Sequence, residues 1–152
     1  MAKNVAFFIR HFYERGIELS TYNYAIYNKK ILGNNSIIIA FNKEITDNGE
    51  QFVNISRSLF EDEFKIIEIR YIEEMRGLIM EENLTHAYVQ SHGFKKDYYK
   101  FGQKNIWGNC TTIYHSVFGP MVRQGSSIRC VIGNHLNERY GKELGVIEKW
   151  QI

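Results

Sequence analysis

Proline and cysteine are scarce in this sequence. A single proline, Pro120, occurs among 152 residues, which argues against proline-rich linkers and favours one continuous, compact unit. The two cysteines, Cys110 and Cys130, are too few for a disulfide framework, and each lies in an apolar segment where cysteine usually packs as a small buried side chain. We therefore predict a single domain over residues 1–152 without a disulfide.

Neither an excess of one charge nor a long hydrophobic run is present. Lys and Arg number 19 and Asp and Glu number 17, a formal net charge of +2, so bulk electrostatics do not favour a nucleic-acid partner. The apolar run at residues 5–9 stops at Arg10, whereas a signal peptide needs about 7–15 apolar residues and a membrane span about 20. We expect a cytoplasmic protein with no membrane span.

Glycine-rich phosphate loops and nucleophile motifs are also missing. The sequence contains no G-x-G-x-x-G, no G-x-x-x-x-G-K-[ST] and no G-x-S-x-G, and Gly16 is the only glycine before Gly33. What is present over residues 5–18 is a short apolar run, a charged loop and the start of a helical pattern. This order is typical of a buried strand that leads into a helix through a ligand-facing turn.

Apolar runs rich in β-branched residues alternate with helical patterns along the chain. We predict strands at residues 5–9, 37–41, 64–69, 85–90, 110–115 and 128–133, a last short strand at 146–147, and helices at 17–32, 52–60, 72–83 and 134–140. The fourth strand is expected to run into residues 91–93, and a polar, aromatic loop rich in lysine is expected to follow until about Asn105. This alternation predicts an α/β fold with a mostly parallel, doubly wound sheet and helices on both faces. Five residues are expected to form the apolar face of the first helix: Leu19, Tyr22, Ala25, Ile26 and Leu32.

Three histidines follow or end predicted strands. His11 follows the first strand, His92 the fourth, and His115 ends the fifth. The carboxyl ends of parallel strands meet at one edge of a sheet, where open α/β sheets bind ligands, so these residues nominate one site. A structural histidine is the alternative at each position. A three-histidine zinc site is a further alternative, although no H-x-H or H-x-x-x-H pair supports it and we expect no metal.

The first loop and the first helical turn supply more candidates. Arg10, Arg15 and Gly16 could meet an anionic ligand, because a helix N-terminus offers free N–H groups and partial positive charge; ordinary solvated charge is the alternative. Glu18 would interact favourably with that positive end, or it would accept a hydrogen bond from a hydroxyl-rich ligand. Three tyrosines of the helix are expected to pack rather than bind: Tyr22, Tyr24 and Tyr27.

These segments resemble a known family. A predicted strand is followed by Arg15-Gly16-Ile17-Glu18 and then by a long predicted helix. This arrangement resembles the N-terminal domain of retaining, family-4-like glycosyltransferases of the GT-B fold, whose first loop often reads Gly-Gly-x-Glu. In this sequence Arg15 stands at the position of the first of these glycines. Residues 85–92 resemble the family strand that ends in a histidine. Residues 112–116 resemble the next strand, whose terminal histidine lies beside the transferred sugar, and residues 128–136 resemble the segment where a strand enters a short helix.

The resemblance implies a single Rossmann-like domain that forms the acceptor-side half of a nucleotide-sugar-dependent transferase without a metal or other cofactor. His115 would be the catalytic residue near the reacting carbon. The implied ligand-binding residues are Arg15, Gly16, Glu18, His92 and His11. Such enzymes hold most of the nucleotide sugar in a second domain, which residues 1–152 do not contain, so we expect a sugar or glycan acceptor and either a separate donor-domain polypeptide or self-association. The alternative is a non-catalytic ligand-binding or assembly module that keeps the fold.

Overall fold

A computed structural model describes residues 1–12, 16–42, 56–91, 104–117 and 128–131. The strands are β1 Asn4–Ile9, β2 Asn35–Phe41, β3 Lys65–Ile69, β4 His86–Ser91, β5 Thr111–Ser116 and β6 Ile128–Val131. The helices are α1 Gly16–Lys30, α2 Arg57–Glu61, α3 Met75–Glu81 and α4 Lys104–Trp107, and a 3-10 turn at Ile72–Glu74 precedes α3.

The six strands form one sheet in which every described pair is parallel. Their spatial order is β3-β2-β1-β4-β5-β6. Strands β2 and β3 are therefore added in turn on one side of β1. The chain then crosses to the other side of β1, where β4, β5 and β6 are added in turn. This is the strand order of Rossmann-like doubly wound folds, with the switch point between β1 and β4. The predicted α/β class, with a Rossmann-like, doubly wound parallel sheet, is confirmed.

Both faces of the sheet are buried, as the β-branched strand sequences require. Ile37, Ile38, Ile39 and Ala40 of β2 are all buried although neighbouring side chains point to opposite faces. One hydrophobic cluster lies on each face of the sheet. The first contains the even-numbered residues of β1 together with residues of α3 and α4, and the second contains the odd-numbered residues of β1 together with residues of α1 and α2. The prediction of helices on both faces is confirmed.

The buried face of α1 differs from the predicted one. Leu19 is 45% exposed and Leu32 is 68% exposed, so their placement on the apolar face was wrong. The helix instead buries a row of small, apolar and polar side chains: Ile17, Glu18, Thr21, Ala25, Ile26 and Asn28. Polar residues are tolerated in this row because buried polar groups find partners on the sheet.

One such partner lies on β2. The Asn28 side-chain amide donates a hydrogen bond to Ser36 Oγ over 2.9 Å, and the Ser36 hydroxyl donates to the Ala25 carbonyl over 2.8 Å. These bonds fix the C-terminal half of α1 against the sheet. The helix ends at Lys30 before Gly33, whose φ of +65° is a conformation that glycine adopts at little cost, and the predicted glycine stop is confirmed.

A second difference concerns α4, which lies partly in the predicted polar loop. Its Trp107 is fully buried, with its ring centroid 6.2 Å from that of Phe8. A helix of four residues is too short to show a periodic pattern, so the sequence did not indicate it. Cys110 is a buried free thiol, as predicted. The predicted helix at 134–140, the strand at 146–147 and the first part of the helix at 52–60 lie outside the described residues.

Within the described parts of the chain, no helix combines the length and the apolar character that crossing a membrane requires.

We predict that Ile38→Ala lowers the free energy of unfolding by about 2–5 kcal/mol, because this side chain is fully buried and its removal leaves a cavity. The matched control is Ile31→Ala, which truncates the same side chain where it is 72% exposed and should change stability by less than about 0.5 kcal/mol. Urea denaturation followed by circular dichroism measures both. Equal losses in the two variants would contradict the described core.

Candidate functional site

Two polar side chains stand side by side where β4 and β5 end. Gln90 and His115 are register partners, each one residue before the last residue of its strand. Both lie on the face of the sheet that α1 covers, because Gln90 hydrogen-bonds to α1 and His115 contacts the ring of Tyr24 in α1. They therefore occupy the carboxyl edge, next to the switch point where ligands of open α/β sheets bind.

Gln90 is tied to α1 through its side-chain oxygen. Gln90 Oε1 accepts hydrogen bonds from Ser20 Oγ over 2.7 Å and from Thr21 Oγ1 over 3.0 Å. Thr21 is fully buried. With the oxygen turned toward the helix, the amide nitrogen occupies the other branch of the side chain and has two hydrogens to donate.

His115 is enclosed by aromatic rings. It is only 6% exposed, and its ring centroid lies 5.9 Å from that of Tyr24 and 6.1 Å from that of Tyr88. The Tyr88 hydroxyl oxygen is 2.6 Å from His115 Nδ1. Burial removes water that would stabilise the charged ring and so lowers the pKa of His115 below its ordinary value of 6.5. The imidazole is therefore neutral at pH 7.

The remaining described candidates lie at the same edge. His11 is buried two residues after β1, and Gly16 begins α1. Glu18 is buried in the first turn of α1, three residues before Thr21 and so on the same side of the helix. A carboxylate at this place interacts favourably with the positive end of the helix dipole. A Cβ added at Gly16 would meet no atom of the described residues within 4 Å.

The structure thus brings the ends of β1 and β5 and the start of α1 to one edge, and with them five of the predicted candidates: Arg10, His11, Gly16, Glu18 and His115. Arg15 and His92 lie outside the described residues. No three potential metal ligands come together within the described part of the chain. The three-histidine zinc alternative includes His92, so it stays a hypothesis about residues that are only partly described.

Sequence reasoning missed the residues that hold His115 and connect its strand neighbour to α1. These are Tyr88, Gln90, Ser20 and Thr21. One signal was available for Gln90, because it is a polar residue that directly follows the run Ala87-Tyr88-Val89 near the carboxyl end of its strand. Tyr24 packs against Tyr88 and His115, in agreement with its predicted packing role.

No protein-family model, no curated protein and no solved structure matches this chain. The fold therefore rests on the strand order itself. The resemblance to family-4-like glycosyltransferases and the roles it implies for individual residues stay predictions.

We predict that His115 titrates below pH 6.5, with its ring neutral at pH 7, because burial disfavours the imidazolium. Proton NMR of the imidazole signals across pH 4–8, assigned with His115→Gln, measures the midpoint. Well above pH 6.5 both folded and unfolded chains hold a neutral ring. As the pH falls below 6.5 the unfolded chain binds a proton before the folded one does, so wild-type stability falls relative to His115→Gln. A midpoint at or above 6.5 would show that the ring is hydrated or paired with an anion.

Proposed function

We propose that this domain is the acceptor-side domain of a nucleotide-sugar-dependent glycosyltransferase of the retaining GT-B type. One observation carries the proposal. Helix α1 and strands β4 and β5 bring hydroxyl, amide and imidazole groups together around His115 at the carboxyl edge of a doubly wound sheet. The order of the motifs along the chain agrees with the family that the sequence resembles.

The chemistry of these groups suits a ligand rich in hydroxyls. A sugar hydroxyl both donates and accepts hydrogen bonds, so a site for sugars needs donors and acceptors together. The Gln90 amide supplies donors and the Glu18 carboxylate supplies acceptors. His115 supplies Nε2, since its other ring nitrogen, Nδ1, is hydrogen-bonded to Tyr88. The aromatic rings of Tyr24 and Tyr88 add apolar surface beside these groups, a combination common in small-molecule sites.

In this proposal His115 lies beside the reacting carbon, Glu18 and His92 contact sugar hydroxyls, and Gly16 lies near the donor phosphates. A neutral His115 acts there through a hydrogen bond and not through a positive charge. The resemblance implies that a second domain holds most of the nucleotide sugar. This domain by itself should therefore bind sugars without transferring them.

We predict that His115→Ala weakens saturable sugar binding by at least about tenfold, because it removes a hydrogen bond in a buried site. Isothermal calorimetry with uridine diphosphate glucose, guanosine diphosphate mannose, maltose and lactose measures the affinities. The control is His86→Ala, which removes another histidine from the same face of the sheet but at its amino edge, where it lies 3.5 Å from Lys3 Nζ. That variant should bind like the wild type.

A second candidate function is a non-catalytic assembly module. Large apolar side chains are exposed together at the C-terminal end of α1: Tyr27, Ile31 and Leu32. Absence of saturable binding to every sugar probe, with stable self-association in sedimentation equilibrium, would contradict the transferase proposal and support this one. Sugar transfer by the domain alone would contradict the proposal that a second domain is needed to hold the nucleotide sugar.

A further inference from the structure

The hydrogen bond between Tyr88 and His115 determines which ring nitrogen carries the proton. The Tyr88 hydroxyl oxygen lies 2.6 Å from His115 Nδ1. A phenol hydroxyl is a stronger donor than a neutral imidazole N–H, and an imidazole nitrogen is a stronger acceptor than a phenol oxygen, so the arrangement in which Tyr88 donates to Nδ1 is favoured. A neutral imidazole has one proton, which in this arrangement is on Nε2.

The N–H group of His115 Nε2 and the side-chain NH₂ group of Gln90 then lie at neighbouring positions, where both can donate to a ligand. Among the described residues, none accepts a hydrogen bond from the Gln90 side-chain nitrogen or contacts His115 Nε2 within hydrogen-bond distance. The Gln90 oxygen is already engaged by Ser20 and Thr21. The two residues are register partners on adjacent parallel strands, whose backbones lie about 4.8 Å apart.

We infer that Tyr88 is a positioning residue that keeps the proton of His115 on Nε2, and that this N–H and the side-chain N–H of Gln90 form a two-donor subsite for an acceptor oxygen of the ligand. His115 thus enters the site as a hydrogen-bond donor and not as a base. The subsite selects ligands that offer a hydroxyl, carboxylate or phosphate oxygen at this point. The sugar as ligand rests on the proposed function, whereas the proton position does not.

The proton position is tested on the unliganded protein. Long-range ¹H–¹⁵N NMR spectra at pH 7.5 should show a protonated Nε2 and an unprotonated Nδ1 for His115. Tyr88→Phe removes only the hydroxyl and keeps the ring, so a population protonated at Nδ1 should become detectable. Tyr24→Phe is the control, because Tyr24 contacts the same imidazole through its ring and makes no hydrogen bond to it; its spectrum should match the wild type. A wild-type ring protonated at Nδ1, or an unchanged Tyr88→Phe spectrum, would overturn the inference.

The donor role of Gln90 is tested with the sugar probe that binds most tightly. Gln90→Glu keeps an oxygen for Ser20 and Thr21 and replaces the NH₂ group, so affinity should fall by about tenfold or more. In the wild type, the Gln90 side-chain NH₂ signals should shift on titration with the same probe, which tests the contact without a variant. Unchanged affinity with unshifted NH₂ signals would overturn the two-donor subsite. If no sugar binds, the proposed function fails, and the tautomer measurement still decides the role of Tyr88.

Discussion

Burial of both faces of the central strands is the constraint on which the rest of this structure depends. Strands β1 and β2 are buried on both sides, and parallel strands need crossover connections that cover those faces with helices. The interior between helices and sheet is therefore filled mainly with apolar side chains. The strand ends are the places where hydrogen-bonding groups meet solvent, and the carboxyl edge at the β1–β4 switch point is one such place.

Helix α1 is held against the sheet by hydrogen bonds along its length as well as by apolar packing. Asn28 binds Ser36 in its C-terminal half, and Ser20 and Thr21 bind Gln90 near its start. Each such bond adds only about 0.5–1.5 kcal/mol to stability, but it fixes direction and register in a way that apolar contacts do not. The same bonds that attach the helix thereby orient the Gln90 amide beside His115, so the geometry of the site follows from how α1 is anchored.

The fold was predictable because its signal is local. Runs such as Ile37-Ile38-Ile39 indicate buried strands on their own, and their alternation with helical patterns indicates a parallel sheet. His115 was placed at a strand end by the same local reasoning. The partners of Gln90 were not predictable, because Ser20 and Thr21 lie 70 and 69 residues away in sequence. Buried polar residues such as Thr21 and Asn28 interrupt the apolar pattern of α1, so sequence alone placed Leu19 and Leu32 in the core instead.

We propose that ligands bind at the carboxyl edge on the α1 side of the sheet. Chemical-shift mapping of the ¹⁵N-labelled protein, titrated with uridine diphosphate glucose, guanosine diphosphate mannose, maltose and lactose, locates the binding surface. We expect the largest shifts at Ser20, Thr21, Gln90 and His115, which surround the described site. Shifts confined to the amino edge, where Lys3 and His86 lie, or no saturable shift with any of these ligands, would show that the carboxyl edge is not the binding site.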